Sequence, residues 1–240
     1  EDAFTQEEQA EVGDVALEVR NLSRVGVFEP ISFKVKKGEV LGFSGLMGAG
    51  RTEIARCIFG LDKADTGEIF INGEKVEINN TLDAIKSGIA YVSEDRRREG
   101  IVPLMSVREN ITLASLPWIS QAGCIDLKEE VVTAEHYIDT LGIKTPHMEQ
   151  EIVKLSGGNQ QKVCLARWLY RDPKVIILDE PTRGIDVGAK AEIHKLINTL
   201  CQQGIAVIMI SSEMSEVLGS SSRIMVLHEG VLTEEFDDPA

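Results

Sequence analysis

Three stretches of this chain carry residue types that suit the handling of a phosphate ester. The first, GLMGAGRT over residues 45–52, follows the spacing G-x-x-x-x-G-K-[ST] at every fixed position but one, where Arg51 stands in place of lysine. Gly45, Gly48 and Gly50, with the small Ala49 among them, let backbone N–H groups converge on phosphates at a helix N-terminus, and Thr52 would offer its hydroxyl to magnesium. Lysine is a compact point charge that fits between β- and γ-phosphates, whereas arginine is longer, planar and forked. Losing one charge-assisted hydrogen bond of about 1.5 to 3 kcal/mol lowers nucleotide affinity roughly ten- to a hundredfold. The plainer reading is a glycine-rich turn joining strand to helix.

The second stretch, VIILDEP over residues 175–181, is an apolar strand ending at Asp179 and Glu180. A carboxylate at the tip of a buried strand can accept from metal-bound water, and its neighbour can orient or deprotonate an attacking water. Alone, such a pair also serves as a helix cap or a solvated turn. The third, LSGGNQQK over residues 155–162, sets a serine and paired glycines ahead of a helix, so a hydroxyl and free amides face outward at an anion.

These motifs need a scaffold of alternating strands and helices. Residues 16–22 and 30–45 read as strands, with 40–44 running into the glycine-rich turn. A helix over 50–59, a strand in GEIFING, a helix over 81–87 and a strand over 89–92 follow. Residues 104–161 differ, with helical patterns such as 127–141 and little strand signal, so they read as an inserted helical subdomain. Strands at 175–178, 205–210 and 223–227 then alternate with helices at 187–201 and 213–218, in the manner of a parallel α/β sheet.

Composition narrows the class. The 240 residues carry 39 acidic and 25 basic side chains, a formal charge of -14, which repels phosphate backbones and argues against nucleic acid as a partner. Cys57, Cys124, Cys164 and Cys201 form no C-x-x-C pair and read as reduced thiols. The longest apolar run, over 205–210, is a strand's length, far below the ~20 residues of a membrane span. Residues 1–14, with six acids and no base, read as an acidic linker or arm of something longer, without the character of a signal peptide.

In this order the motifs closely resemble the nucleotide-binding domain of ABC transporters, over residues 15–236, with 237–240 as a tail. The resemblance implies an α/β fold with a P-loop NTPase-like core and mostly parallel sheet, an N-terminal antiparallel β-subdomain and the inserted helical subdomain. It implies ATP and Mg2+ as cofactors and Glu180 as the catalytic residue. Gly45, Gly48, Ala49, Gly50, Arg51, Thr52, Ser156, Gly157, Gly158, Gln160 and Ser212 would bind nucleotide, and Thr52, Asp179 and Glu94 the metal. Two such domains pair head to tail in that family, the signature of one closing over the ATP held by the other.

Departures from the family pattern are as informative. YVSEDRRREG places Glu94 where a glutamine usually senses magnesium and the membrane partner, and ISSEM places Ser212 where a histidine usually meets the γ-phosphate. None of His136, His147, His194 and His228 lies at that place. Phe28 is the nearest candidate for stacking on adenine and serves equally as core, while Trp118 and Trp168 read as packing. Arg96, Arg97 and Arg98 read either as a solvated loop or, beside Glu94, as a dock for a cytoplasmic helix of a permease. Asp186 matches the family's loop facing the other domain.

The set of substitutions is similar to the C-terminal half of the duplicated ATP-binding subunit of bacterial monosaccharide importers of the ribose, galactose, xylose and arabinose type. That resemblance implies sugar import, the N-terminal half of the same polypeptide as second nucleotide-binding domain, and a peripheral place at the cytoplasmic side of the membrane. Two alternatives stay open: a regulatory, weakly hydrolysing interaction module, and an ABC ATPase outside transport, against which the negative charge argues.

Overall fold

Residues 11–237 are described by the structure, a computed structural model; most of the acidic arm and the last three residues of the tail lie outside them. Strands β1 (Val15–Arg24), β2 (Phe28–Lys36) and β3 (Val40–Ser44) precede helix α1 (Arg51–Ile58), and β4 (Thr66–Ile71), β5 (Glu74–Val76), α2 (Thr81–Lys86) and β6 (Ile89–Val92) follow. Next come α3 (Val107–Thr112), the two-residue strands β7 (Ser120–Gln121) and β8 (Cys124–Ile125), α4 (Leu127–Thr140) and α5 (Gly157–Leu169). The chain then alternates β9 (Val175–Asp179), α6 (Val187–Gln202), β10 (Ala206–Ile210), α7 (Met214–Ser220), β11 (Arg223–His228) and β12 (Val231–Asp237).

The chain divides into two compact units, one of residues up to 91, 173–181 and from 194 onward, the other of residues 92–172 and 182–193. In the first, a sheet in the order β12-β11-β3-β10-β9-β6 has β10 parallel to β3 and β9, and β11 parallel to β3. Strands β3, β9 and β10 are buried at every residue, which is why their sequences read as continuous apolar runs instead of alternating. The second sheet, β2-β1-β4-β5, is antiparallel and one-sided. Along β2 the buried residues Ile31, Phe33 and Val35 alternate with exposed ones, and Phe33 meets Phe43 of β3 edge to face at 5.4 Å.

The second unit contains the stretch 104–161 and extends beyond it. Helix α3 packs on α4 and α5, and Val107, Ile111, Ala134, Val163 and Leu165 of these helices are buried. Around α3 the buried charges are paired: Arg167 donates to the Asn110 carbonyl at 2.8 Å and to Asn110 Oδ1 at 2.9 Å, and Arg108 bridges Glu130 and Glu149. α3 begins at a capping box, with Ser106 and Glu109 satisfying each other's backbone amides.

Three elements escape the sequence reading. β5 is three residues long, β12 is an exposed edge strand, and the β7–β8 hairpin is made by Ala122 and Gly123 at φ 50° and 81° rather than by apolar alternation. Two consecutive positive φ angles are the mark of a hairpin turn. No helix among the described residues is long and apolar enough to cross a membrane.

Candidate functional site

In the first unit, the buried strand β3 delivers the glycine-rich turn to the N-terminus of α1. Gly45 has φ +153°, and a Cβ there would sit 2.3 Å from the Leu227 carbonyl oxygen, so close approach excludes a side chain. Gly50 caps α1 at φ 96° with no side-chain hydrogen bond to the first amides. Those amides are left to an external acceptor, and the helix dipole favours an anion there.

Thr52, in the first turn of α1, donates to Asp179 Oδ1 at 3.2 Å, and Tyr91 of β6 donates its hydroxyl to Asp179 Oδ2 at 2.8 Å. Asp179 is fully buried at the end of β9, and burial pushes its carboxyl above the usual range against those two hydrogen bonds and the charge of Arg51. Glu180 holds a left-handed backbone, φ 49°, a conformation that costs a non-glycine residue about 1 to 3 kcal/mol. Ser212 donates to Glu180 Oε2 at 3.1 Å, while burial raises the Glu180 pKa more than that bond and Arg51 lower it.

Arg51 is directed elsewhere than a P-loop lysine. The residue is 8% exposed, and Nη1 donates to the Ser211 carbonyl at 2.6 Å. Arg51 therefore bonds to the backbone of the residue before Ser212, another departure from the family pattern. Below them the Ser211 hydroxyl donates to Glu216, and His194 meets Glu216 Oε1 at 3.1 Å and the Ser220 hydroxyl at 2.9 Å. Tyr91, Ser211 and Glu216 were not among the residues expected from sequence. An aromatic inside the run IAYV reads as core, and a backbone carbonyl leaves no trace in residue type.

The second unit carries the signature. Ser156 is exposed at the N-cap of α5 and accepts from Asn159 Nδ2 at 2.8 Å, leaving the first amides of the helix uncapped. An open pocket of about 250 Å³ beside it is lined by Lys144, Ser156, Gly158, Asn159, Asp186 and Glu192, among others. A Cβ on Gly158 would lie 2.5 Å from that of Ala189, so this glycine is set by packing as well as by amide access. Asp186 accepts from the Ala189 amide at 2.9 Å and caps the start of α6.

Three further residues of the sequence reading are buried. Gln160 is 4% exposed and donates its side-chain amide to the Ile152 and Leu155 carbonyls at 3.3 and 3.1 Å, which braces the loop before α5. Arg96 is 8% exposed and bonded to the Arg183 and Gly184 carbonyls, so of the basic cluster only Arg97 and Arg98 are open to a docking partner. Phe28 is 4% exposed and belongs to the core. Glu94, in the second unit, is ion-paired with Arg183, a residue that sequence reasoning left out.

Residues 28–183 match the family model described as ABC transporter. The chain belongs to the ABC transporter family. It is 53% identical over 232 residues to the xylose import ATP-binding protein XylG of Thermoanaerobacter pseudethanolicus, covering 93% of this chain and 46% of that one. It is 51% identical over 229 residues to the ribose import ATP-binding protein RbsA of Bacillus licheniformis, covering 95% and 46%. The chain thus spans about half the length of the curated relatives it matches. Among solved structures it is similar to MJ1267, an ATP-binding cassette of an ABC transporter, with a TM-score of 0.81 at 23% identity over 94% of this chain and 92% of that one. A dimeric post-hydrolysis state of the ATP-binding cassette MJ0796 bound to ADP and Pi aligns with a TM-score of 0.76 at 23% identity, covering 92% and 98%. The fold is that of an ABC ATPase, with its antiparallel β-subdomain and mainly parallel core sheet.

Proposed function

We propose that this chain is one of two ATP-binding cassettes of a bacterial sugar importer, corresponding to the C-terminal half of a duplicated subunit. It works at the cytoplasmic side of the membrane beside a permease. The reading is supported by the half-length match to xylose and ribose import proteins and by one asymmetry in the chain. The nucleotide-contact residue Arg51 is tied to its own Ser211 carbonyl, whereas Ser156 is exposed at the N-cap of α5 and no side chain caps the first amides of that helix.

In this reading the turn 45–52 and α1 hold the phosphates of ATP through backbone amides, and Thr52 and Asp179 hold Mg2+. They fit a hard cation: a hydroxyl oxygen and a buried carboxylate, with Glu180 as a further carboxylate beside it. The metal, when bound, neutralises charge on the phosphate oxygens. Glu180, raised by burial and steered by Ser212, is placed to take a proton from water. Glu94, ion-paired with Arg183, is given no metal role in this reading. The start of α5 serves the ATP of the second cassette, presenting a serine hydroxyl and two amides to its terminal phosphate. Arg97 and Arg98, exposed beside Glu94, are offered to the permease.

The bond between Arg51 and Ser211 favours a second reading, in which this half binds nucleotide weakly and acts chiefly by donating its signature. One comparison decides how the roles divide. Ser156→Arg blocks closure sterically and removes a preorganised donor of a kind worth about 100- to 1,000-fold in rate. In the full-length protein it should nearly abolish ATP hydrolysis, while Glu180→Gln should reduce it far less. A larger loss from Glu180→Gln would make this chain's own site the main catalytic one.

A further inference from the structure

Among the described residues, Arg96 is a buried cation that makes no ion pair, and its Nε has no hydrogen-bond partner. A single π-helical turn, Arg96–Gly100, closed by the Ile101 amide on the Arg96 carbonyl at 2.8 Å, turns Arg96 inward while Arg97 and Arg98 point to solvent. Such turns concentrate at functional sites. The inward guanidinium makes a fork: Nη1 donates to the Arg183 carbonyl at 2.7 Å and Nη2 to the Gly184 carbonyl at 3.1 Å. Consecutive carbonyls suit a planar guanidinium and not a single ammonium.

The same Nη2 lies against the signature. A Cβ added to Gly157 would be 2.6 Å from it and 3.3 Å from the Gly184 carbonyl oxygen. One residue on, Gly158 is closed against Ala189, and Glu94 grips Arg183 from outside. The loop 183–189 and the first turn of α5 are therefore held together by Arg96 at one end and by Ala189 at the other.

We propose that Arg96 is a positioning residue for phosphoryl transfer: it clamps the loop 183–189 to the start of α5, so that Ser156, Gly157 and Gly158 meet the second cassette's nucleotide as one rigid surface. This rests on the reading that α5 serves a nucleotide held elsewhere. Burying an unpaired guanidinium behind these amides also keeps positive charge beside an anion site. The glycines at 157 and 158 then have a second cause besides amide access, since any larger residue would pry the clamp open.

The test is steady-state ATP hydrolysis by the full-length protein carrying this chain. Because misplacing a preorganised group by about 1 Å costs on the order of 100-fold, Arg96→Met should lower kcat roughly 10- to 100-fold with KM for ATP changed less than about twofold. Arg96→Lys, which keeps charge but loses one carbonyl, should fall between. Gly157→Ala, pushing on Nη2 from the other side, should give the same split and carries the test if Arg96→Met does not fold. The discriminating measurement is the double variant of Arg96→Met with Ser156→Ala. If Arg96 acts through the start of α5, the double loses little more than the worse single, whereas losses that multiply assign Arg96 a separate, structural role. Full kcat in Arg96→Met, or a loss carried by KM, also overturns the clamp. Retained hydrolysis in Ser156→Arg refutes instead the underlying reading of the signature, whatever Arg96 does.

Discussion

Replacing Arg51 by lysine separates the two demands placed on that position. In the structure the arginine is spent on the Ser211 carbonyl at 2.6 Å, in a place that leaves it 8% exposed. A hydrogen bond to a charged group contributes about 1.5 to 3 kcal/mol. Lysine is too short to fork and, at the start of α1, is free to turn toward phosphate. Arg51→Lys should then strengthen Mg-ATP binding by about 1.5 to 3 kcal/mol, roughly 10- to 150-fold. The same change leaves Ser211 without its partner, and at about 2 to 4 °C per kcal/mol for a chain of this length the nucleotide-free melting temperature should fall by roughly 3 to 12 °C. Calorimetric titration with Mg-ATP and thermal melting without nucleotide read the two effects on one preparation. Opposite shifts are the expected outcome: tighter binding and lower intrinsic stability. Unchanged affinity would mean that the lysine stays on the carbonyl or that arginine already reaches phosphate, and either refutes the reasoning.

Replacing the exposed Arg97 and Arg98 by alanine should reduce sugar uptake by the assembled transporter well beyond any change in its ATP hydrolysis, and unaltered uptake would return them to a solvated loop. Burial pushes the thiols of Cys57 and Cys164 up to about 11 and of Cys201 up to about 12, while Cys124 is exposed, so native protein near pH 8 should show one fast-reacting thiol and denatured protein four. The hydrogen bond from Arg56, with help from Arg24 and against burial, holds Asp62 below the usual carboxylate range. Its stabilisation is therefore present above the unfolded pKa of about 4 and lost as pH falls through the lower folded value. Asp62→Asn should destabilise the chain near pH 7 and leave it unchanged near pH 2, measured by thermal melting; an equal loss at both pH values would assign the effect to packing.

Much of the fold was legible because its signals are local. The short, mainly apolar runs of β3, β9 and β10, bounded by turn residues, read as buried strands, and the glycine turn, VIILDEP and LSGGNQQK each combine a backbone requirement with a chemically capable side chain. The glycine turn and VIILDEP named two residues that touch each other, Thr52 and Asp179, and the family resemblance added Ser212, which meets Glu180. The order of the motifs along the chain was enough to place it in its family.

What tertiary structure alone decided is where charged side chains spend their hydrogen bonds. Three consecutive arginines look alike in sequence, yet a π-helical turn buries Arg96 on two carbonyls and leaves Arg97 and Arg98 outside. Arg51 was seen as a lysine substitute; that it bonds to Ser211, 160 residues away, depends on β3 and β10 being paired. Gln160 sits in the LSGGNQQK motif but on the inward side of its helix. Residue type states what a side chain is able to do, and long-range packing determines which of those bonds is made, because the carbonyls that claim these cations have no signature in the sequence.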